Sequence, residues 1–149
     1  MVTGEYRKSL DEKGRLMIPA RIRAAIPGNL LILTRGIDRS KCLWLFVPDV
    51  WRRISDDLLA STSIYNRQAR LVHRRFVAPA QEAEIDRTGR IMIPLTLREY
   101  GGLSKDCIVV GMLNRLEIWD EEIYRTYWED KEDEFQEAAE AIGETIKNA

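Results

Sequence analysis

The sequence predicts an α+β fold built from two copies of one unit, β-turn-β-α-β-β. The first observation is an internal repeat: residues 11–23, DEKGRLMIPARIR, match residues 86–98, DRTGRIMIPLTLR, at seven of thirteen positions with a constant offset of 75. The second is that both copies continue with the same order of strand-like and helix-like segments. Because two copies are too few for a solenoid, we expect two similar half-barrels or sheets packed on each other. The predicted division is repeat 1 at 5–52, a helical linker at 53–79, repeat 2 at 80–124 and an acidic C-terminal helix at 125–149.

Each repeat opens with a predicted hairpin. A short extended segment, EYRKSL or AQEAEI, leads into the turn DEKGR or DRTGR, and a second strand, RLMIP or RIMIP, follows. Gly14 and Gly89 supply the positive φ that a tight turn needs, and Asp11 and Asp86 can accept hydrogen bonds from the turn backbone. We therefore interpret these four residues as turn formers that affect binding only indirectly.

A short helix and two strands complete each repeat. Pro19 and Pro94 end the second strand and suit the first turn of a helix, where a missing N–H costs little. The helices are ARIRAAI and LTLREYG, the latter closed by Gly101 or Gly102. Strands are expected around LLILTRG and CLWLFV in repeat 1, and around CIVVGML and RLEIWD in repeat 2.

Two further segments have helical spacing. Residues 49–76 are expected to form two helices broken near Ser61–Ser63. From Glu121 onward, apolar residues recur at steps of three, four or seven on an acidic helix interrupted by Gly143. They are Tyr124, Trp128, Phe135, Ala139, Ile142 and Ile146. We expect this stripe to pack on the body of the protein or on a neighbouring subunit.

Composition excludes several functional classes. The longest apolar runs, such as CLWLFV, are far shorter than the roughly 18 residues that cross a bilayer, so no membrane partner is expected. The N-terminus has no apolar signal region, and Cys42 and Cys107 fit reduced thiols in a cytoplasmic protein. A single His73 without CxxC or HExxH spacing predicts no metal. There is no phosphate-binding glycine loop and no nucleophile elbow, so we predict no cofactor and no enzyme.

The charge distribution is asymmetric. The net charge is −1, yet residues 1–79 carry 15 Lys or Arg against 7 Asp or Glu, and residues 80–149 carry 8 against 17. Such asymmetry indicates binding of a polyanion at one end, although the same counts also fit two solvated faces. After Trp119 the acidic tail could repel DNA from one face, or fold over the basic hairpins as an internal competitor.

The repeated D-x-x-G-R-hydrophobic-x-I-P block resembles the AbrB/SpoVT-type DNA-binding half, whose strands interlace into a swapped-hairpin barrel. Two such halves with a helical insert and a helical tail resemble the MraZ family over essentially the whole chain. The resemblance implies a cytoplasmic, nucleoid-associated bacterial transcriptional regulator that forms a ring of several subunits. It also implies binding to short direct repeats of double-stranded DNA upstream of the division and cell-wall gene cluster, which includes the regulator's own gene.

The candidate DNA-binding residues are cations on and beside the two hairpins. Lys and Arg can neutralise phosphates, and an Arg at a tight turn can present its planar fork to guanine. The resemblance implies that the Asp-x-x-x-Arg signature faces DNA, with contacts from Lys8, Arg15 and Arg23. The complete set is Arg7, Lys8, Lys13, Arg15 and Arg23 in repeat 1 and Arg87, Arg90 and Arg98 in repeat 2. Because Glu82, Ala83 and Thr88 replace Arg7, Lys8 and Lys13, we expect repeat 1 to supply most of the phosphate affinity.

Two alternatives stay open on the residues. Asp11 could simply pair with Arg15, and Asp86 with Arg90, in which case these arginines are structural. The chain could also be a protein-interaction module of the antitoxin type, since AbrB-like halves occur there together with a toxin-binding tail.

Overall fold

The computed structural model describes residues 2–61, 63 and 65–149. Within these residues it contains eight strands, five α-helices and one π-helical turn. The strands are β1 Val2–Ser9, β2 Arg15–Met17, β3 Leu30–Arg35, β4 Leu43–Phe46, β5 Gln81–Glu84, β6 Arg90–Met92, β7 Asp106–Leu113 and β8 Leu116–Asp120. The α-helices are α1 Ala20–Ala25, α2 Pro48–Ser61, α3 Arg67–Val72, α4 Leu95–Gly101 and α5 Glu121–Lys147, and the π-helical turn is His73–Val77.

The two repeats exchange strands. Six strands form an antiparallel sheet in the order β1-β7-β8-β4-β3-β5, and β2 pairs with β6 in a separate two-stranded ribbon. The first strand of each repeat pairs with the third strand of the other, β1 with β7 and β5 with β3. Strands β4 and β8 lie side by side at the centre. The structure confirms the predicted α+β fold of two interlaced β-turn-β-α-β-β repeats with pseudo-twofold symmetry.

The core is made from equivalent positions of both repeats. Leu16 and Ile91 alternate with outward-facing neighbours along β2 and β6, and both are fully buried. Ile18 and Ile93 follow them into the same cluster, which also contains one residue from each short helix. The prolines precede α1 and α4 as expected, and Gly102, at φ +59°, caps the C-terminus of α4. Burial of these apolar side chains is the main force that holds the repeats together.

The linker forms two helices, as predicted. Helix α2 ends at Ser61, and α3 begins after Asn66, whose side chain accepts hydrogen bonds from the backbone of Gln68 and Ala69. Residues 62 and 64, within or beside the predicted break, lie outside the described residues. Phe76 of the π-helical turn packs in a second cluster with Trp44 and other aromatic side chains. Helix α2 begins at Pro48, inside the range predicted for repeat 1.

The C-terminal helix is continuous, which corrects the predicted interruption at Gly143. Asp120 caps its N-terminus by accepting a hydrogen bond from Ile123 N at 3.2 Å, and the helix runs to Lys147. A glycine costs a helix about 1 kcal/mol relative to alanine, too little to end a long helix where nothing else breaks it. None of the described helices is both long enough and apolar enough to span a bilayer.

Candidate nucleic-acid interface

The turn between β1 and β2 is held by one carboxylate. The carbonyl of Asp11 accepts a hydrogen bond from Gly14 N at 3.0 Å, and its Oδ1 accepts from the backbone N–H groups of Lys13 and Arg15, each at 2.9 Å. Gly14 has φ +81°. The bond from Arg15 N is the main cause that lowers the pKa of Asp11. The predicted turn-forming roles of Asp11 and Gly14 are therefore visible in the geometry.

The turn between β5 and β6 repeats this arrangement. The carbonyl of Asp86 accepts from Gly89 N at 3.0 Å, and its Oδ1 accepts from the backbone of Thr88 and Arg90 at 2.8 and 3.1 Å. Gly89 has φ +85°. Here the pKa of Asp86 is lowered mainly by the Thr88 hydroxyl, which donates to Oδ1 at 2.6 Å. The two turns thus share one backbone frame and differ in side chains.

The two turns are joined into one unit. The backbone N–H of Ile18 donates to the carbonyl of Gly89, and that of Ile93 donates to the carbonyl of Gly14, both at 2.9 Å. Between these bonds, β2 and β6 pair antiparallel, with residue 15 opposite 92 and residue 17 opposite 90. We call residues 11–17 and 86–92 the double-turn head. Each turn is consequently supported by the strand of the other repeat.

Arg23 of α1 and Arg98 of α4 each pack against the turn of the opposite repeat. Each is half-buried, and its Nε donates to a carbonyl of its own repeat, Arg23 to Ile18 at 3.0 Å and Arg98 to Ile93 at 2.9 Å. Each guanidinium then covers the glycine of the opposite turn. A Cβ at position 89 would lie 2.7 Å from Cζ of Arg23, and one at position 14 would lie 2.8 Å from Cζ of Arg98. These two arginines position the turns, and their predicted DNA contacts stay predictions.

The outer face of the ribbon carries two arginines on opposite strands. Successive residues of a strand point to opposite faces, and Leu16 and Ile91 point into the core. Their neighbours Arg15 and Arg90 therefore both lie on the outer face. Nε of Arg15 is 2.8 Å from Oδ2 of Asp11, so the Asp11–Arg15 ion pair that the sequence left open is formed in repeat 1. The equivalent pair is absent in repeat 2: Arg90 forms no ion pair with any residue that the structure describes. The Arg90 guanidinium is therefore available to an anion.

Lys13 and Arg87 lie in the turns themselves. Both side chains are exposed, and neither forms an ion pair within the described part of the chain. Their charges project from the end of the head, where a polyanion could reach them without displacing a carboxylate. The head therefore carries four of the predicted cations: Lys13, Arg15, Arg87 and Arg90.

Arg7 and Lys8 lie further back on β1. Arg7 is bound by two carboxylates, with Nε 2.9 Å from Glu121 and Nη2 3.3 Å from Asp106, and the pair with Glu121 raises its already high pKa. Lys8 points to the other face of the strand, is half-buried and lies opposite Cys107 of β7. The structure therefore does not bring Arg7 and Lys8 into the head, and Arg7 already has partners.

The sequence reasoning missed two methionines in the head. Met17 and Met92 flank the arginines on the outer face of the ribbon, and Met92 is 49% exposed. Exposed apolar side chains beside cations can contact the methyl group of thymine in the major groove. A signal was present, since these methionines are equivalent positions of the repeat and alternate with buried residues along each strand.

Outside the head, three findings bear on other chemistry. Burial raises the pKa of both Cys42 and Cys107 to about 12, so neither thiol is a reactive nucleophile. Among the described residues, no group of three or more His, Cys, Asp or Glu side chains is placed to hold a metal ion. Tyr124 of α5 donates a hydrogen bond to Glu5 of β1, and Glu121 accepts one from Arg7; among the described residues, no hydrogen bond or ion pair joins α5 to either turn. Helix α5 therefore contacts the first strand of the repeat 1 hairpin, where it neutralises Arg7, and within the described ranges it does not cover the turns.

Comparison with known proteins extends this picture. The sequence model of one family, described as "MraZ protein, putative antitoxin-like", matches residues 1–75 and 76–144. A curated relative named transcriptional regulator MraZ, from Treponema denticola, is 50% identical over 143 residues, covering 96% of this chain and 98% of the relative. The protein of the same name from Treponema pallidum, strain Nichols, is 46% identical over 140 residues, covering 94% and 93%.

The fold and the head together define a class: a single chain of two interlaced β-turn-β-α-β-β halves that presents a cationic β-ribbon. Both halves are covered by the family match, whose division at residue 75 falls before β5. The chain belongs to the MraZ family.

Proposed function

We propose that this protein is a DNA-binding transcriptional regulator whose double-turn head enters the major groove. The observation that carries the proposal is the joining of two turns with the same backbone geometry into one ribbon, with cations from both repeats on its outer face. The major groove admits a two-stranded β-ribbon, and its base edges can be read by arginine. Two relatives that are 50% and 46% identical to this chain are named transcriptional regulators, which supports the same assignment.

The cations of the head divide into two kinds of contact. Lys13 and Arg87, at the exposed turns, are placed to neutralise phosphates, which supplies affinity without sequence information. Arg15 and Arg90, on the ribbon face, are placed to present planar forks to base edges. Arg23 and Arg98 support both kinds of contact by fixing the turns.

The modest size of one head supports assembly, and membership of the MraZ family supports the DNA target and the location that we propose. A single head with about four cations binds DNA weakly, and its affinity falls with salt. Several linked heads on repeated sites would therefore bind far more tightly. We propose that several copies assemble, as a ring, on short direct repeats of double-stranded DNA upstream of the division and cell-wall gene cluster that contains the protein's own gene. Binding there places the protein in the cytoplasm at the nucleoid, without a cofactor.

The test is a salt-titrated binding assay on DNA carrying the repeats upstream of the protein's own gene and on scrambled DNA. Arg15→Ala is compared with Arg52→Ala, an exposed arginine of α2 whose nearest carboxylate is 3.9 Å away. We expect tight binding to the repeats that Arg15→Ala weakens and Arg52→Ala does not. Weak binding that is equal on both DNAs and unchanged by Arg15→Ala would reject the proposal.

That rejecting result would favour the second candidate, an antitoxin-type module that holds a protein partner. The observation in its favour is the exposed apolar face of α5, where Phe135 and Ile142 are 48% and 67% exposed. The described family also carries the term antitoxin-like. In that case the fold serves as a scaffold and the head has no sequence preference for DNA.

A further inference from the structure

The second half of α5 is an amphipathic helix that its own chain leaves uncovered. Tyr124 and Tyr127 anchor the first turns on Trp119, with ring centroids 5.1 and 4.9 Å apart. Beyond Trp128, no residue of the helix belongs to either core cluster of the described residues. Phe135, Ile142 and Ile146 are 48%, 67% and 74% exposed.

These exposed residues form one narrow stripe on a strongly acidic rod. At about 100° per residue, Phe135, Ala139, Ile142 and Ile146 fall within an arc of roughly 60°. Residues 129–147 carry eight Asp or Glu against two Lys, and one of those lysines, Lys131, lies 3.2 Å from Glu134. A surface that accepts this rod must therefore offer apolar contact in the middle and positive charge at the sides.

One groove on the same protein has that character. It has a volume of about 420 Å³ and lies between the loop after β3, the end of α3 and α4. We call it the basic groove; its main lining residues are Ile37, Arg39, Lys41, Leu71, Arg75 and Tyr100. Ile37 and Leu71 are exposed at its surface, and Asp38 also lines it.

The cations of the basic groove are available. Arg39, Lys41 and Arg75 form no ion pair with any residue in the described ranges. Tyr100 in the groove wall makes cation–π contacts with Arg35 and Arg75, whose guanidinium carbons lie 4.8 and 5.8 Å from the ring centroid. Positive charge beside exposed apolar side chains complements the second half of α5.

We propose that the second half of α5 docks in the basic groove of a second copy of this chain. The apolar stripe then covers Ile37 and Leu71, and the carboxylates beside it pair with the groove cations. Within one copy the stripe and the groove are both open, so a second copy is needed to join them. The inference rests on the proposed assembly and assigns its interface: since helix and groove are different surfaces, the contact repeats from copy to copy, and it gives the proposed ring where the rotation between copies closes.

The test measures the assembly of the full-length chain by sedimentation velocity over a concentration series. The stripe variant is Phe135→Gln with Ile142→Gln, and the groove variant is Arg39→Glu with Arg75→Glu. The matched control, Ala141→Gln with Thr145→Gln, changes two α5 residues that lie outside the arc of the stripe. Far-UV circular dichroism checks that each variant keeps its helices.

We expect both the stripe and the groove variants to associate at least tenfold more weakly than wild type and the control. Mixing the two variants restores pairing, because the intact groove of one accepts the intact α5 of the other. If the stripe variant is monomeric while the groove variant still assembles, α5 pairs with α5 and the proposed docking is wrong. Assembly unchanged in both variants, or no pairing in the mixture, also overturns it. A monomeric wild type would instead refute the assembly itself.

Discussion

The turns of the two repeats share a backbone and differ in where their arginine is held. In repeat 1, Arg15 pairs with Asp11 at 2.8 Å. In repeat 2 the Thr88 hydroxyl donates to Oδ1 of Asp86 at 2.6 Å, and Arg90 forms no ion pair among the described residues. The comparison shows that the Asp and Gly of the motif fix the backbone geometry, whereas the two residues between them set the charge of each turn: Glu12 and Lys13 in repeat 1, Arg87 and Thr88 in repeat 2.

This difference bears on the expectation that repeat 1 supplies most of the phosphate affinity. Of the repeat 1 cations, Arg7 and Arg15 are each held by carboxylates, and Lys8 lies behind the head. Repeat 2 has fewer cations, but Arg87 and Arg90 both lie in the head without an ion pair. The relative weight of the repeats is therefore a question that the following substitutions can answer.

The largest expected effect is on DNA affinity when either ribbon arginine is removed. Arg15→Ala and Arg90→Ala should each weaken binding to the specific DNA by about 5- to 150-fold, the range for loss of a bidentate base contact of about 1–3 kcal/mol. Only Arg15→Ala should also lower thermal stability, and by a fraction of a kcal/mol, because its pair with Asp11 is partly exposed. Equal loss of stability in both variants would contradict the difference between the turns.

The next effect is on stability when a turn glycine is replaced. Gly89→Ala should cost about 2 kcal/mol, from positive φ together with displacement of Arg23 from its hydrogen bond to Ile18. Gly28→Ala is the matched control, because Gly28 has φ +68° but nothing within 4 Å of a Cβ, and should cost only about 1 kcal/mol. Denaturant unfolding measures both. If the two costs remain equal, Arg23 does not lock the turn.

These examples show which features of the fold and the head can be predicted from the sequence. The repeat, the Asp and Gly of each turn and the helix starts were predictable, because local hydrogen bonds and backbone conformation decide them. The reach of Arg23 across to Gly89 was not, because it depends on the exchange of strands between repeats, which no local pattern encodes. The continuity of α5 through Gly143 was missed for another reason: the destabilisation by a single glycine is small beside the stability of a helix of this length.

A smaller effect follows from exchanging the residues that distinguish the turns. Lys13→Thr removes an exposed charge from repeat 1, and Thr88→Lys adds one to repeat 2. We expect the first to weaken DNA binding severalfold and the second to strengthen it, with the salt dependence of log K changing by about one in opposite directions. Titration of binding against salt measures this. A Thr88→Lys variant with an unchanged salt slope would show that the second turn does not approach phosphates.

The smallest effect is on acid stability. The pKa values of Asp11 and Asp86 are lowered in the folded protein, so their stabilising contribution is fully present above the ordinary carboxyl pKa and is lost as pH falls through the lowered folded values. Asp11→Asn and Asp86→Asn should therefore reduce the loss of stability on acidification, while the side-chain oxygen still accepts the turn hydrogen bonds. Unfolding free energies at neutral and acid pH measure it. Variants as acid-sensitive as wild type would contradict this account.

The central claim is that both turns form one head on DNA, and site-directed DNA cleavage tests it most directly. A cleavage reagent is attached to a cysteine at Lys13→Cys, Thr88→Cys or the control Arg52→Cys, since buried Cys42 and Cys107, with pKa values of about 12, should not react. The account predicts that reagents at positions 13 and 88 cut neighbouring nucleotides of the same DNA repeat, and that the control does not. Cutting from position 13 alone would contradict it.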